Sequence, residues 1–303
     1  MVDVIAAIPS PSFNTIGPFN IYGMLIAIGA FSAIWLGQKR WAERGNDPED
    51  ISAIALWAIP AGVIGARAYH VLTDWPTRFS GQPISNVFKI WEGGLGIPGG
   101  MAAGIIAGVF VAKSRGIDVK GVLDAVVPGL PLAQAIGRWG NWFNQEVFGR
   151  PTDLPWGLEI DANHRGSIPA EFASVEEFPT FHPTFLYEGI WNIGLVGVIL
   201  WADRKGWLPK GRLIATYLVG YGIGRLWIET VRIDTATEIL GLRVNIWMSI
   251  ALIVGGLITI AWPRGSEVAT AQDTVLDDTD DETELDLDES DDETEPTADT
   301  VSK

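Results

Sequence analysis

Long uninterrupted apolar runs, rather than amphipathic ones, set the pattern of this chain. A bilayer core of roughly 30 Å takes about 20 mostly apolar residues as a helix. Seven stretches answer to that length: residues 20–37, 51–72, 95–112, 122–138, 184–201, 213–231 and 244–262. Pro128, Gly129 and Pro131 interrupt the fourth, which predicts a kink inside a bundle, where neighbouring helices satisfy the freed carbonyls. The expected fold is an all-α polytopic membrane protein with seven transmembrane helices over residues 20–262.

The polar segments between these runs predict the orientation. Basic residues gather in alternate loops: Lys39, Arg40 and Arg44 in the first, Lys113, Arg115 and Lys120 in the next, then Arg204, Lys205, Lys210 and Arg212. Positive loops stay on the cytoplasmic side, so residues 1–19 are expected outside and the C-terminus in the cytoplasm. Residues 1–19 carry no basic n-region and no small-residue cleavage site, so retention rather than cleavage is expected. The outer side then receives residues 140–183, whose turn sequences "GRPTDLPWG", "DANHRGSIP" and "FPTFHPT" predict a small extracytoplasmic head. Residues 263–303 are acidic, self-repelling and of low complexity, the composition of a disordered cytoplasmic tail.

Composition changes this picture mainly through that tail. The formal net charge is −16, yet 16 of the 37 acidic residues and only one lysine lie from Glu267 onward. The remainder is nearly neutral, so the acidity says nothing of the membrane body and no nucleic-acid partner is indicated. The absence of cysteine excludes disulfides and thiolate nucleophiles, and three histidines are a poor basis for a metal centre. No cofactor is expected.

Charged groups inside apolar runs carry the chemistry, because each costs about 2.5 to 3.5 kcal/mol at a helix centre. In "GYGIGRLWIETVR", Tyr221, Arg225, Glu229 and Arg232 line one helical face. Arg225 and Glu229 would neutralise each other, leaving Arg232 as spare positive charge. In "GARAYHVLTDW", Arg67, His70 and Asp74 share a face near the outer boundary, as catalytic groups or as an interfacial anchor. In "HPTFLYEGIWN", Tyr187, Glu188 and Asn192 open the fifth run, with Glu188 placed to bridge to an arginine on another helix. The densest group is "GRWGNWFNQEVFG", residues 137–149, with Arg138, Asn141, Gln145 and Glu146 bracketed by glycines. All four groups fall toward the outer leaflet and so can converge. Arginine forks suit a phosphodiester, and the ligand expected is a phospholipid headgroup entering from the bilayer. The glycines of "WEGGLGIPGG" would let lipid or a neighbouring helix pack closely.

The 137–149 stretch resembles the G-R-x-G-N-[FW]-x-N-x-E-x-x-G signature of the prolipoprotein diacylglyceryl transferases. "NIYG", "WEGGLGIPGG", "HPTFLYE" and "GRLWIETVR" extend the resemblance over residues 15–262. It implies a seven-span enzyme of the bacterial plasma membrane. Such an enzyme transfers diacylglyceryl from phosphatidylglycerol to the lipobox cysteine of a preprolipoprotein, releasing glycerol phosphate. Catalytic positions carried over by motif are Tyr22, Arg138, Asn141, Glu146, Arg225 and Glu229. Substrate contacts are expected from Arg138, Arg225, Gly149, Arg67, His70, Gly99, Gly100, Tyr187, Glu188 and Arg232. Pro98 stands where many members have histidine, which leaves either Glu146 or His70 to take the thiol proton, or the arginine field to lower the thiol pKa. Removing residues 267–303 is expected to leave the transfer activity of purified protein intact; a large loss would refute the passive-tail reading.

Overall fold

The computed structural model describes residues 7–90, 93–234 and 236–262. The expected tail, residues 263–303, and the first six residues lie outside the described residues. Among the described residues the fold is almost entirely helical, and the helices are α1 (Ile21–Ala42), α2 (Glu49–Thr73), α3 (Ile97–Ser114), α4 (Val119–Val126), α5 (Gly129–Asn144), α6 (Thr184–Lys205), α7 (Leu213–Val231) and α8 (Val244–Ala261). Six helices are long and apolar enough to cross a membrane, α4 and α5 counting together as Val119–Asn144. The chain is thus a multi-pass membrane protein. The sixth expected run forms α7, 19 residues long, but Arg225, Glu229 and two tyrosines keep it from matching the apolarity of the other six.

Neighbour contacts arrange the helices as α3–α2–α1–α5–α6–α7–α8, with α4 also against α1. Small residues set the tightest of these approaches. A methyl group at Gly65 of α2 would lie 2.5 Å from the Gly99 carbonyl oxygen of α3, and one at Gly99 would lie 2.3 Å from the Gly65 carbonyl. Without a hydrophobic drive between helices in lipid, such backbone approach supplies dispersion contact that larger side chains would prevent. Pro98 sits in the first turn of α3, where its missing N–H leaves no helical bond unmade.

The interruption at Pro128 falls between α4 and α5, as the sequence predicts, but α5 does not stop at residue 138. It runs on to Asn144, so the first half of the signature is helical, and Gln145 caps it in the left-handed conformation at φ 51°. The extension is stabilised by packing on both sides: α5 lies between α1 and α6.

At the signature end of the bundle, three two-residue strand pairs tie the connections. Strands β1 (Thr15–Ile16) and β2 (Phe19–Asn20) lead into α1, and Asn20 caps that helix by accepting from the Tyr22 N–H. Strands β3 (Leu158–Glu159) and β4 (Thr180–Phe181) pair within residues 140–183, and β5 (Glu238–Ile239) and β6 (Leu242–Arg243) lead into α8. Residues 140–183 contribute Phe148, Leu158, Ile160 and Phe181 to a core that Phe185 of α6 completes, with Ile8 of the N-terminal segment packed on it.

The opposite end is held by a separate polar knot. Arg40 donates to the carbonyls of Asp124 and Ala125 and to the Asp203 carboxylate, while Asp124 accepts from the N–H groups of Gly211 and Leu213 at the start of α7. Replacing Gly99 with leucine is expected to separate α2 from α3 and lower stability by about 1–3 kcal/mol or more. Thermal unfolding in detergent checks this, and an unchanged midpoint would refute the close contact.

Candidate active site

Four arginines and three carboxylates from α5, α6, α7 and the α7–α8 connection form one alternating chain of charge. Arg138 on α5 pairs with Glu188 on α6. The other oxygen of Glu188 lies 3.4 Å from Arg225 on α7, whose second terminal nitrogen lies 2.9 Å from Glu229 one turn on. Glu229 meets Arg243 at 2.7 Å and accepts from the Asn245 amide at 3.0 Å. Arg243 then reaches Asp234 at 3.4 Å, and Asp234 takes Arg232 in a two-pronged bond at 2.7 and 2.8 Å.

The local sequence explains how each member arrives. Arg225 and Glu229 are four residues apart on a regular helix and so share a face. Glu188 follows the first turn of α6, which Pro183 starts, and Glu188 is 3% exposed. A carboxylate so placed is tolerable because an arginine faces it on each side. Arg232 terminates α7 in extended conformation, which swings it onto Asp234. Burial raises the Asp234 carboxyl toward neutrality, but the bonds to Arg232 and the charge of Arg243 overcome this and hold it below the ordinary carboxylate range.

The expectation that Arg232 carries spare charge is therefore corrected: Asp234 neutralises it. The chain keeps one surplus positive charge, and of its two terminal arginines, each sharing its single carboxylate, Arg138 is the more exposed, its side chain at 21% against 9% for Arg232. Sequence reasoning missed Arg243, Asp234 and Asn245. The available signal was an arginine at the mouth of the most apolar run, which reads equally well as a snorkelling anchor.

Beside Arg138 on α5, the Asn141 amide donates to Oε1 of Glu146 at 3.0 Å, and the Asn144 amide donates to the same oxygen at 3.1 Å. Among the described residues no arginine pairs with Glu146. Gln145 turns away, donating to Pro11 and Asp161 and accepting from the Asp161 N–H. Val147 follows at φ 61°, a strained position for a β-branched residue. Tyr22 packs so closely on the signature that a methyl group at Gly140 would lie 2.2 Å from its ring. Gly149 pairs with Arg232 across an antiparallel bridge, and a methyl group there would lie 2.8 Å from both His182 and Val231. Tyr187 accepts from the Trp156 indole and meets His182 at 3.0 Å; burial lowers the His182 pKa below its usual value.

Residues 11–262 match the family model for prolipoprotein diacylglyceryl transferase. The chain belongs to the prolipoprotein diacylglyceryl transferase family. Among similar proteins, the phosphatidylglycerol–prolipoprotein diacylglyceryl transferase 1 of Streptomyces coelicolor is 49% identical over 81% of this chain and 71% of its own length. The Streptomyces griseus enzyme of that name is 47% identical over 84% and 77%. The Corynebacterium diphtheriae enzyme is 44% identical over 88% and 98%.

Several positions expected to contact substrate lie elsewhere. Arg67 is held by the carbonyls of Asn86, Val87, Gly93 and Gly94, at 2.7, 2.7, 2.6 and 3.2 Å. His70 meets Asp74 at 3.2 Å and lies against Gly94. Gly99 and Gly100 face Gly65, Gly62 and Ala66 of α2. These four residues thus organise the α2–α3 connection, and none joins the arginine chain. In the family context an apolar groove of about 250 Å³ is notable, because it runs between α5 and α6 along Ala135, Ile136, Trp139, Phe185, Gly189 and Ile193. Its helices are those that carry Arg138 and Glu188.

Glu188→Gln is expected to destabilise the protein by about 3 kcal/mol, since it leaves half-buried Arg138 without a carboxylate and Arg225 with Glu229 alone. Adding Arg138→Gln should cost less in that background than in the wild type. A denaturation double-mutant cycle measures this, and strictly additive costs would refute the shared pair.

Proposed function

We propose that this chain transfers the diacylglyceryl group of phosphatidylglycerol to the cysteine thiol of a preprolipoprotein lipobox. The product is a thioether and the co-product glycerol phosphate, so the reaction is the first step of bacterial lipoprotein maturation. The single observation that supports this most is the surplus cation at Arg138, placed beside an apolar groove on the same pair of helices. A diacyl phosphodiester has that duality, with apolar chains and one delocalised negative charge.

In this reading the thiolate sulfur attacks the glycerol carbon that bears the phosphate ester. The carbon–oxygen bond breaks, and its electron pair leaves on the phosphate oxygen. Arg138 and Arg225 are tied through Glu188 and stabilise charge growing on that oxygen, where low dielectric strengthens their effect. Arg225 is held from behind by Glu229, so it needs no reorganisation during the step. A thiol with an ordinary pKa near 8.5 is mostly protonated at neutral pH, and Pro98 offers no base. Glu146 is the better of the two remaining groups, because it shares the end of α5 with Arg138 and keeps Oε2 clear of the two amides bound at Oε1. Asn141 fixes that carboxylate, and Tyr22 closes the wall beside Gly140.

The same reading takes α7 as a seventh span and the bacterial plasma membrane as the location. Residues 140–183 then form the extracytoplasmic head, with the N-terminus outside and the C-terminus in the cytoplasm. The charged loops 39–44, 113–120 and 204–212 support that orientation.

Incubation with phosphatidylglycerol and a lipobox peptide should give the thioether by mass spectrometry and free glycerol phosphate. Arg138→Ala should lower transfer by about 100-fold or more, the usual cost of losing one transition-state donor. Near-wild-type transfer in folded Arg138→Ala protein would overturn the assigned role.

A further inference from the structure

We propose that a polar cavity beside the far end of the arginine chain binds the acceptor polypeptide on the C-terminal side of its modified cysteine. This rests on the transfer reading above and adds a second recognition site to it. The cavity has a volume of about 580 Å³, within the range of ligand-binding clefts. One wall comes from residues 150–172, with Arg150, Pro169, Glu171 and Phe172. The other comes from the α7–α8 connection, with Arg232, Ile233, Asp234, Glu238 and Arg243.

Continuity with the chemistry comes from Arg243. It lines this cavity and also touches Glu229, the carboxylate that holds Arg225. A chain seated here is therefore linked to the phosphate-binding Arg225 through two ion pairs that share Glu229. The acceptor in this reaction has an apolar signal segment that stays in the bilayer and a mature portion that continues into water. It must leave the bundle at the signature end, and this cavity opens there between the head segment and α7.

The lining charge decides the class of ligand. Three guanidiniums are matched by three carboxylates, so the site has no net charge to select a free phosphate. Arg232, Asp234 and Arg243 are already bonded to one another. Among the described residues, no ion pair engages Arg150, Glu171 or Glu238, and all three are exposed. One free donor cluster and two free acceptors over an apolar floor of Pro169, Phe172 and Ile233 suit a polypeptide, which presents carbonyls, N–H groups and side chains together. A phosphate monoester would instead face two uncompensated carboxylates.

Two lipobox peptides provide the test, one ending at the cysteine and one continuing into a mature-protein segment. The protein is used at full length in phosphatidylglycerol vesicles. Wild type should favour the longer peptide by about tenfold in KM, equivalent to about 1.4 kcal/mol. Arg150→Ala and Glu238→Ala should each bring that ratio toward one. The cysteine-free chain permits a second readout. With a mild thiol oxidant added, Glu171→Cys protein should form a disulfide with a long peptide whose lipobox cysteine is serine and whose only thiol lies further along, whereas Lys113→Cys protein should not. An unchanged KM ratio in both alanine variants, or no cross-link at residue 171 while the longer peptide is still modified, would overturn the site. Failure of wild type to modify either peptide would instead overturn the transfer reading itself.

Discussion

Glu188 shared between Arg138 and Arg225 is the interaction on which the rest of the site depends. Its two oxygens hold arginines from different helices, and it is almost fully buried. At an effective dielectric near 20, a charge pair at 4 Å is worth about 4 kcal/mol, while an unpaired charge in hydrocarbon costs several. Alternation of sign lets three helices and the α7–α8 connection bring seven ionised groups together with each facing an opposite charge. Because the chain begins and ends on arginine, one positive charge is left over. Both terminal arginines have one shared partner, and Arg138 is the more exposed of the two and so the more open to an anion.

That electrostatic arrangement needs backbones to approach closely, and small residues supply the approach. Tyr22 reaches the signature only because residue 140 has no side chain, and α7 joins residues 147–150 only because Gly149 fits against His182 and Val231. The strained turn at Gln145 and Val147 changes chain direction within two residues. Gln145 spends its amide on the N-terminal segment and Asp161, while Glu146 points to the asparagines of α5. Part of the signature is thus structural, and the transfer proposed above would draw on Arg138, Asn141 and Glu146. At the other end of the bundle, Arg40 and Asp124 do comparable structural work, one crossing to Asp203 and the other capping α7.

Much of this was legible in the chain alone. Apolar run length marked most of the long helices to within a few residues, since a helix in lipid must satisfy its own backbone and so needs a continuous apolar surface. The four-residue steps of Arg225, Glu229 and of Glu188, Asn192 follow from helical periodicity. The end of α5 was misjudged by six residues because polar side chains that bond within the protein look the same, in sequence, as those that meet water.

Sequence by itself determined that charges would sit at membrane depth and which residue types would meet, because their spacing along each helix is local. Tertiary structure decided which helix faces which. It paired Arg232 with Asp234, brought Arg243 across to Glu229, and set Arg67, His70, Gly99 and Gly100 in the α2–α3 connection instead of the arginine chain. Such pairings depend on packing between segments distant in sequence. No period or motif encodes that distance, so only the assembled bundle shows where the uncompensated charge lies.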